Sequence, residues 1–216
     1  KRHDYLNKMQ FETLHFRGPG TDLKVGMPKY HVWKGGSGKT QGGVDFTANL
    51  PTEEVFSVPH KDRVEGTVHS TKPLNYFGNL IEDFSLTFEK GRVVDFSAKK
   101  GEETLRKMLE SDENAKQLGE VALVPYYSPI SESGLIFFNT LYDENAACHL
   151  ALGSAYRINI KDGVKMSDEE LDAAGVNDSL IHVDFMIGSD KVDIDGITPD
   201  GSVIPLMKKG AWAFEV

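Results

Sequence analysis

Ile181-His182-Val183-Asp184-Phe185-Met186-Ile187-Gly188 is the stretch on which the reading of the fold turns. Short, apolar, β-branched and ended by a glycine, it reads as a buried strand. His182 and Asp184 are two residues apart, so on a strand they point to the same face. A buried carboxylate is costly unless it is paired or coordinates a metal. An imidazole beside a carboxylate on a rigid strand is either two convergent ligands for a divalent ion or a structural His–Asp hydrogen bond. This stretch alone leaves both open.

Strand signals continue on either side. Downstream, residues 192–197 alternate like a strand, Thr198-Pro199-Asp200-Gly201 is a turn, and residues 202–207 return as a second strand. Asp193 and Asp195 lack the spacing and closing glutamate of a calcium-binding EF-hand loop. Upstream, Ser167-Asp168-Glu169-Glu170 is a capping box that opens a short helix through Ala173, with Gly175 as its stop. Residues 134–156 are the densest stretch, and within them Glu144 and His149 sit among apolar and small neighbours. The two are five apart and converge only if a helix ends between them or the chain turns. Glu120 stands at the mouth of an apolar strand over 121–125. Residues 102–110 pattern as an amphipathic helix, and residues 84–97 as a hairpin turning at Glu89-Lys90-Gly91-Arg92. Residues 65–70 are strand-like, and 11–17 and 22–26 form two strands around Gly18-Pro19-Gly20. In Asn49-Leu50-Pro51-Thr52-Glu53-Glu54-Val55-Phe56, Pro51 fixes a turn and two acids precede an apolar pair. Strands dominate and the helices are few and short, so the expected class is α+β, mostly β.

Lys34-Gly35-Gly36-Ser37-Gly38-Lys39-Thr40 invites a nucleotide-binding reading and fails it. The phosphate-binding loop needs a glycine where Trp33 stands and a helix where Gln41-Gly42-Gly43 follows. A surface loop is expected instead.

The 216 residues, 39% hydrophobic and 26% charged, suffice for a sizeable core in one large domain or two small ones. A formal net charge of −9 argues against nucleic acid as the main partner. No apolar run approaches the roughly 20 residues of a membrane span, and no signal-peptide pattern is visible. The single cysteine, Cys148, makes no intrachain disulfide, which fits a reducing compartment and an expected cytoplasmic location. Residues 1–10 read as the end of a helix or linker begun earlier, so residues 1–216 are expected to be the C-terminal part of something longer.

Four stretches, in order and spacing, carry a family resemblance. They are Asn49-Leu-Pro-Thr-Glu-Glu54, Gly119-Glu120-Val-Ala-Leu-Val-Pro125, Leu141-Tyr-Asp-Glu-Asn-Ala-Ala-Cys-His149 and Ile181-His-Val-Asp-Phe-Met-Ile-Gly188. Together they resemble the metallo-aminopeptidases of the aminopeptidase T and aminopeptidase S type. The resemblance implies a dinuclear metal site at strand ends and adjacent loops, with Glu54, Glu120, Glu144, His149, His182 and Asp184 as ligands. It implies two divalent ions per chain, zinc or cobalt first, with manganese and magnesium as further candidates. Tyr156, seven residues after His149, matches the family's active-site tyrosine. The implied reaction is hydrolysis of the first peptide bond of peptides with a free N-terminus, through a hydroxide bridging the two metals, with Glu120 bridging the ions and Glu53 as a candidate proton shuttle. The family's members are about twice this length, homodimeric, and carry another domain before this one.

Charge and ligand chemistry agree with that implication. Three glutamates and one aspartate supply four negative charges, balancing two divalent ions. Mixed nitrogen and oxygen donors suit zinc, cobalt or manganese without a thiolate. Cys148 is read as core packing, and His3, His15, His31, His60 and His69 as structural or surface residues. A metal-binding or dimerisation module without chemistry of its own is the competing reading.

Overall fold

The computed structural model describes residues 1–47 and 52–216. The expected turn at Pro51, with Asn49 and Leu50, lies outside the described residues. Among the described residues the architecture is α+β and mostly β. One antiparallel sheet of nine strands contains Thr13–Gly18, Thr21–Gly26, Val64–His69, Asn79–Glu89, Arg92–Lys100, Asp193–Ile197 and Val203–Lys208. A second antiparallel sheet of five strands runs in the order His182–Met186, His149–Gly153, Leu118–Leu123, Val55–Ser57 and Lys34–Gly35.

Alternation of side chains builds the shared core. In the large sheet, Leu14 and Phe16, Leu23 and Val25, and Leu86 and Phe88 turn inward. In the smaller sheet, Val121 and Leu123, Leu150 and Leu152, and Val183 and Phe185 meet them in one apolar cluster. Each such side chain, fully withdrawn from water, contributes about 1.5–3 kcal/mol of transfer free energy. The smaller sheet's central strands are buried along their whole length, so their other face is covered too. That second face carries the polar residues.

Most local expectations match. The hairpin of Asn79–Glu89 and Arg92–Lys100 turns through Lys90 and Gly91, both at positive φ, as a tight primed turn requires. The helix Glu102–Leu109 buries Leu105, Met108 and Leu109. Ser167 and Glu170 make the reciprocal capping-box hydrogen bonds at the start of Asp168–Ala173. Two expectations need correction. The strand placed over 121–125 begins at Leu118, so Glu120 lies inside it rather than at its mouth. The segment after Trp33 is not a plain surface loop. Lys34–Gly35 pairs with Val55–Ser57, and Ser37–Lys39 pairs with Asp45–Thr47 in a small hairpin.

Candidate metal centre

On strand Leu118–Leu123, Val121 and Leu123 point to the core, which sends Glu120 and Ala122 to the opposite face. The same alternation on His149–Gly153 turns Leu150 and Leu152 inward and His149 and Ala151 outward. On His182–Met186 it turns Val183 and Phe185 inward and His182 and Asp184 outward. Glu120, Ala151 and Asp184 form one row across three strands. Ala151 fills little space, so the two carboxylates flank a hollow.

Two glycines aim this row. The ladder slips between Leu118 and Glu120, a bulge at Gly119 that re-aims the following side chain. A Cβ there would stand 2.4 Å from the Gly153 carbonyl oxygen. Gly153 itself pairs with His182, at φ +100, and a Cβ on it would meet the Ile181 carbonyl oxygen at 2.1 Å. This close approach turns the neighbouring Ser154 carbonyl to accept a 2.7 Å hydrogen bond from His182 Nδ1. His149 Nδ1 donates likewise to the Ala147 carbonyl at 3.2 Å. Because carbonyls only accept, both rings keep a proton on Nδ1 and turn Nε2 to the site, where it becomes a donor to a metal once it gives up its own proton, the usual outer support of a metal-binding histidine.

Glu54 and Glu144 come from the chain between strands. Glu54 immediately precedes Val55–Ser57, two residues from Phe56, and so faces the same side. The helix Thr140–Asp143 ends and passes into a 3-10 turn over Glu144–Ala146; Ala147 is extended, and the strand opens at His149. The α-helix thus ends just before Glu144 and the 3-10 turn ends at Ala146, so the chain turns between Glu144 and His149, a condition for both to face one site. Asn145 locks the two loops together: its side-chain oxygen accepts from Glu53 N–H at 2.7 Å, and its carbonyl accepts from the Ser128 hydroxyl at 2.7 Å.

The candidate ligand atoms converge without satisfying one another. His149 Nε2 lies 3.3 Å from Glu54 Oε2 and 3.4 Å from Glu120 Oε1. On the other side, His182 Nε2 lies 3.8 Å from Glu120 Oε2 and 3.4 Å from Asp184 Oδ1. Glu54 Oε2, His149 Nε2 and Asp184 Oδ1 are nonetheless buried with no aligned hydrogen-bond partner. His182 and Asp184 thus stand as a close pair at 3.4 Å whose geometry is not that of an aligned hydrogen bond. Polar atoms gathered in this way fit cations among them, since leaving three such atoms orphaned is otherwise costly. Two groups have ligand atoms within 4.8 Å of one another: Glu54, Glu120 and His149, and Glu120, His182 and Asp184. Glu120 belongs to both, one oxygen turned to each histidine.

Electrostatics register the crowding. Burial pushes the Glu144 carboxyl up to about 8, helped by the charges of Glu54 and Asp184. Burial and the neighbouring carboxylates Asp184 and Glu54 likewise raise Glu120, against the pull of His149. For His182, burial disfavours the charged ring, but Asp184 and Glu120 overcome it and lift the imidazole to about 9. His149 behaves in the same way, raised by Glu120 and Glu54 against its burial. Such a site holds protons where a divalent ion would otherwise supply positive charge.

A cavity of about 700 Å³ opens over this face, lined by Glu54, Glu120, Glu144, His182 and Asp184 on one side. Phe56 and Tyr156 wall it. The Tyr156 ring centroid is 6.3 Å from that of Phe56 and 4.9 Å from the imidazole of His182. Burial, then the charges of Glu120 and Asp184, raise the Tyr156 phenol, so it stays protonated. Glu53 and the remaining histidines are not among the lining residues. Cys148 faces the core, its thiol donating to the Val124 carbonyl at 3.2 Å. Phe56, Ile158 and Lys34 line the cavity without having been expected there. Phe56 was legible from period-two spacing after Glu54, whereas nothing local signalled the other two.

The chain has long relatives. It is 59% identical over 213 residues to aminopeptidase 2 of Geobacillus stearothermophilus, covering 99% of this chain and 52% of that protein. It is 51% identical over 208 residues to aminopeptidase T of Thermus thermophilus, covering 96% of this chain and 50% of that protein. The chain thus spans about half the length of the curated relatives it matches. The solved structure of wild-type AmpT from Thermus thermophilus superposes with a TM-score of 0.94 at 50% identity, over 99% of this chain and 52% of that one. A dihydroxypyridine dioxygenase from Pseudomonas putida KT2440 shares the fold alone, with a TM-score of 0.63 at 16% identity, over 99% of this chain and 59% of that one. The sequence pattern of the thermophilic metalloprotease (M29) family matches residues 1–212, and the chain belongs to that family.

Proposed function

We propose that this chain carries the dinuclear centre of a metal-dependent aminopeptidase, acting on peptides with a free N-terminus. The observation that carries the dinuclear reading is the division of Glu120, with one oxygen toward His149 and the other toward His182. One ion would be held by Glu54, Glu120 and His149, the other by Glu120, His182 and Asp184, with Glu144 completing the set. The imidazole and carboxylate donors suit zinc or cobalt, with manganese or magnesium as substitutes. Divalent ions bound here would polarise the scissile carbonyl and activate water near neutral pH.

The chain's own groups do the rest. The Tyr156 hydroxyl, protonated and at the cavity wall, donates to the oxyanion that develops on the attacked carbonyl, an interaction that counts only in the transition state. The carboxylate-rich floor receives the substrate's ammonium group, which restricts cleavage to the first bond. Phe56 and Ile158 supply apolar wall for the N-terminal side chain. The relatives' names as aminopeptidases support the reaction class, and in the longer protein we infer a homodimer.

The test is metal content per chain, with hydrolysis of leucine p-nitroanilide before and after chelation. Two ions and chelator-sensitive release of p-nitroaniline are expected. One ion at saturation would remove the dinuclear reading; saturation with metal but no turnover would remove the enzymatic one. Tyr156→Phe is expected to keep its metal and lose turnover by about 10²-fold, the scale of one lost oxyanion donor.

A further inference from the structure

The cavity has two chemically different ends. The metal-binding side is crowded with carboxylates. Toward the sheet edge stand two lysines, Lys34 and Lys39. Lys39 is paired with Asp45 at 3.1 Å. Among the described residues, Lys34 has no carboxylate within ion-pair distance and lines the cavity as an exposed cation.

Strand register places Lys34 relative to the metal side. Lys34 lies opposite Phe56, Phe56 opposite Ala122, and Ala122 opposite His149. Directly opposed residues of antiparallel strands project from the same face. Lys34 is therefore on the face that bears His149, three strand spacings away, or about 14 Å between Cα atoms. Gly36 holds this edge close: a Cβ on it would lie 1.8 Å from Thr52 Oγ1, so the chain passes hard against the segment leading to Glu54.

We propose that Lys34 binds the C-terminal carboxylate of short peptide substrates, so that tri- and tetrapeptides with a free carboxyl group are the preferred class. This rests on the aminopeptidase reading above. A substrate whose ammonium end lies on the carboxylate floor runs along the wall of Phe56 and Tyr156 toward the sheet edge. An extended chain advances about 3.3–3.6 Å per residue, so the terminal carboxylate lies about 7 Å beyond the scissile carbonyl in a tripeptide and about 10 Å in a tetrapeptide. A lysine side chain leaning inward spans the remainder. Its compact charge on a flexible stem accepts both lengths, where a rigid guanidinium fork would select one. Longer peptides carry their carboxylate past Lys34 and lose the contact.

The experiment compares kcat/KM for Leu-Gly-Gly and Leu-Gly-Gly-Gly with their C-terminal amides, using metal-loaded protein and leucine p-nitroanilide as the reference substrate. The free acids are expected to be favoured about 10-fold, mainly through KM, with the preference weakening as salt is raised. In Lys34→Gln the acid-to-amide ratio is expected to fall to near one, and in Lys34→Arg to stay above it. A ratio near one in the wild type, or an unchanged ratio in Lys34→Gln, overturns the assignment. A parallel loss on acid and amide in Lys34→Gln marks a structural role and overturns it equally. Turnover of the anilide without acid preference removes only the role of Lys34; failure on every substrate removes the aminopeptidase reading and this inference with it.

Discussion

Glu144 and His182 show how far a single residue is bent by its surroundings. A carboxyl held at about 8 is protonated in the metal-free fold at pH 7, where the unfolded chain's is ionised. Its folded pKa is raised, so its stabilising contribution is complete below about 4.5 and disappears as pH rises through 8. Chelated protein should therefore lose stability between these limits, and Glu144→Gln should remove roughly 1–3 kcal/mol of that loss, read by denaturant melts across pH. His182, lifted to about 9, is charged at neutral pH without metal and must give up its proton to ligate. Metal uptake in weak buffer at pH 7 should release protons, and affinity should climb with pH up to about 9. Uptake without proton release would contradict the assigned ligand. Glu120→Gln is expected to lower the content of both ions and His182→Ala of one, by elemental analysis after dialysis.

Three neighbouring strands and two loop ends make the candidate centre, and this scale explains what the sequence could disclose. The pair His182 and Asp184 was readable because a strand's period is two and both sit on one element. Phe56 shares the face of Glu54 by the same arithmetic, although the sequence reading does not place it in the site. That Glu120 and His149 face this pair was not readable from spacing, because their alignment is made by register across strands distant in sequence and by a bulge at Gly119. Only the family resemblance grouped them beforehand. The turn between Glu144 and His149 is a condition that the sequence states without a local glycine or proline to announce it; the tie of Asn145 to Glu53 and Ser128 holds it in place. Lys34 is not legible as a site residue, because its stretch reads as a failed phosphate loop and only the pairing with Val55–Ser57 makes it an edge strand. Gly153→Ala tests the element directly: a side chain at φ +100, 2.1 Å from a carbonyl oxygen, should cost about 2–4 kcal/mol and lower metal content together with stability.

Taken whole, the molecule gathers four acidic side chains on one face of its smaller sheet, a crowding that without a cation is relieved by protons held on Glu144 and on the two histidines. Binding an ion at 100 times its dissociation constant adds about 2.7 kcal/mol to the folded state, which for a chain of this size corresponds to roughly 5–10 °C in Tm. Calorimetry with and without chelator should show a gap of at least this size, reversed by zinc or cobalt; equal melting in both would mean that the ion does not bind between the sheet strands. The alternation that sends His149 outward sends Cys148, the chain's single thiol, into the core, where burial raises it to about 11. The neighbour of a proposed ligand is thus screened from alkylating agents and peroxide. Activity of the proposed centre should survive iodoacetamide under conditions that leave the fold intact, so this thiol gives the site no handle for redox control.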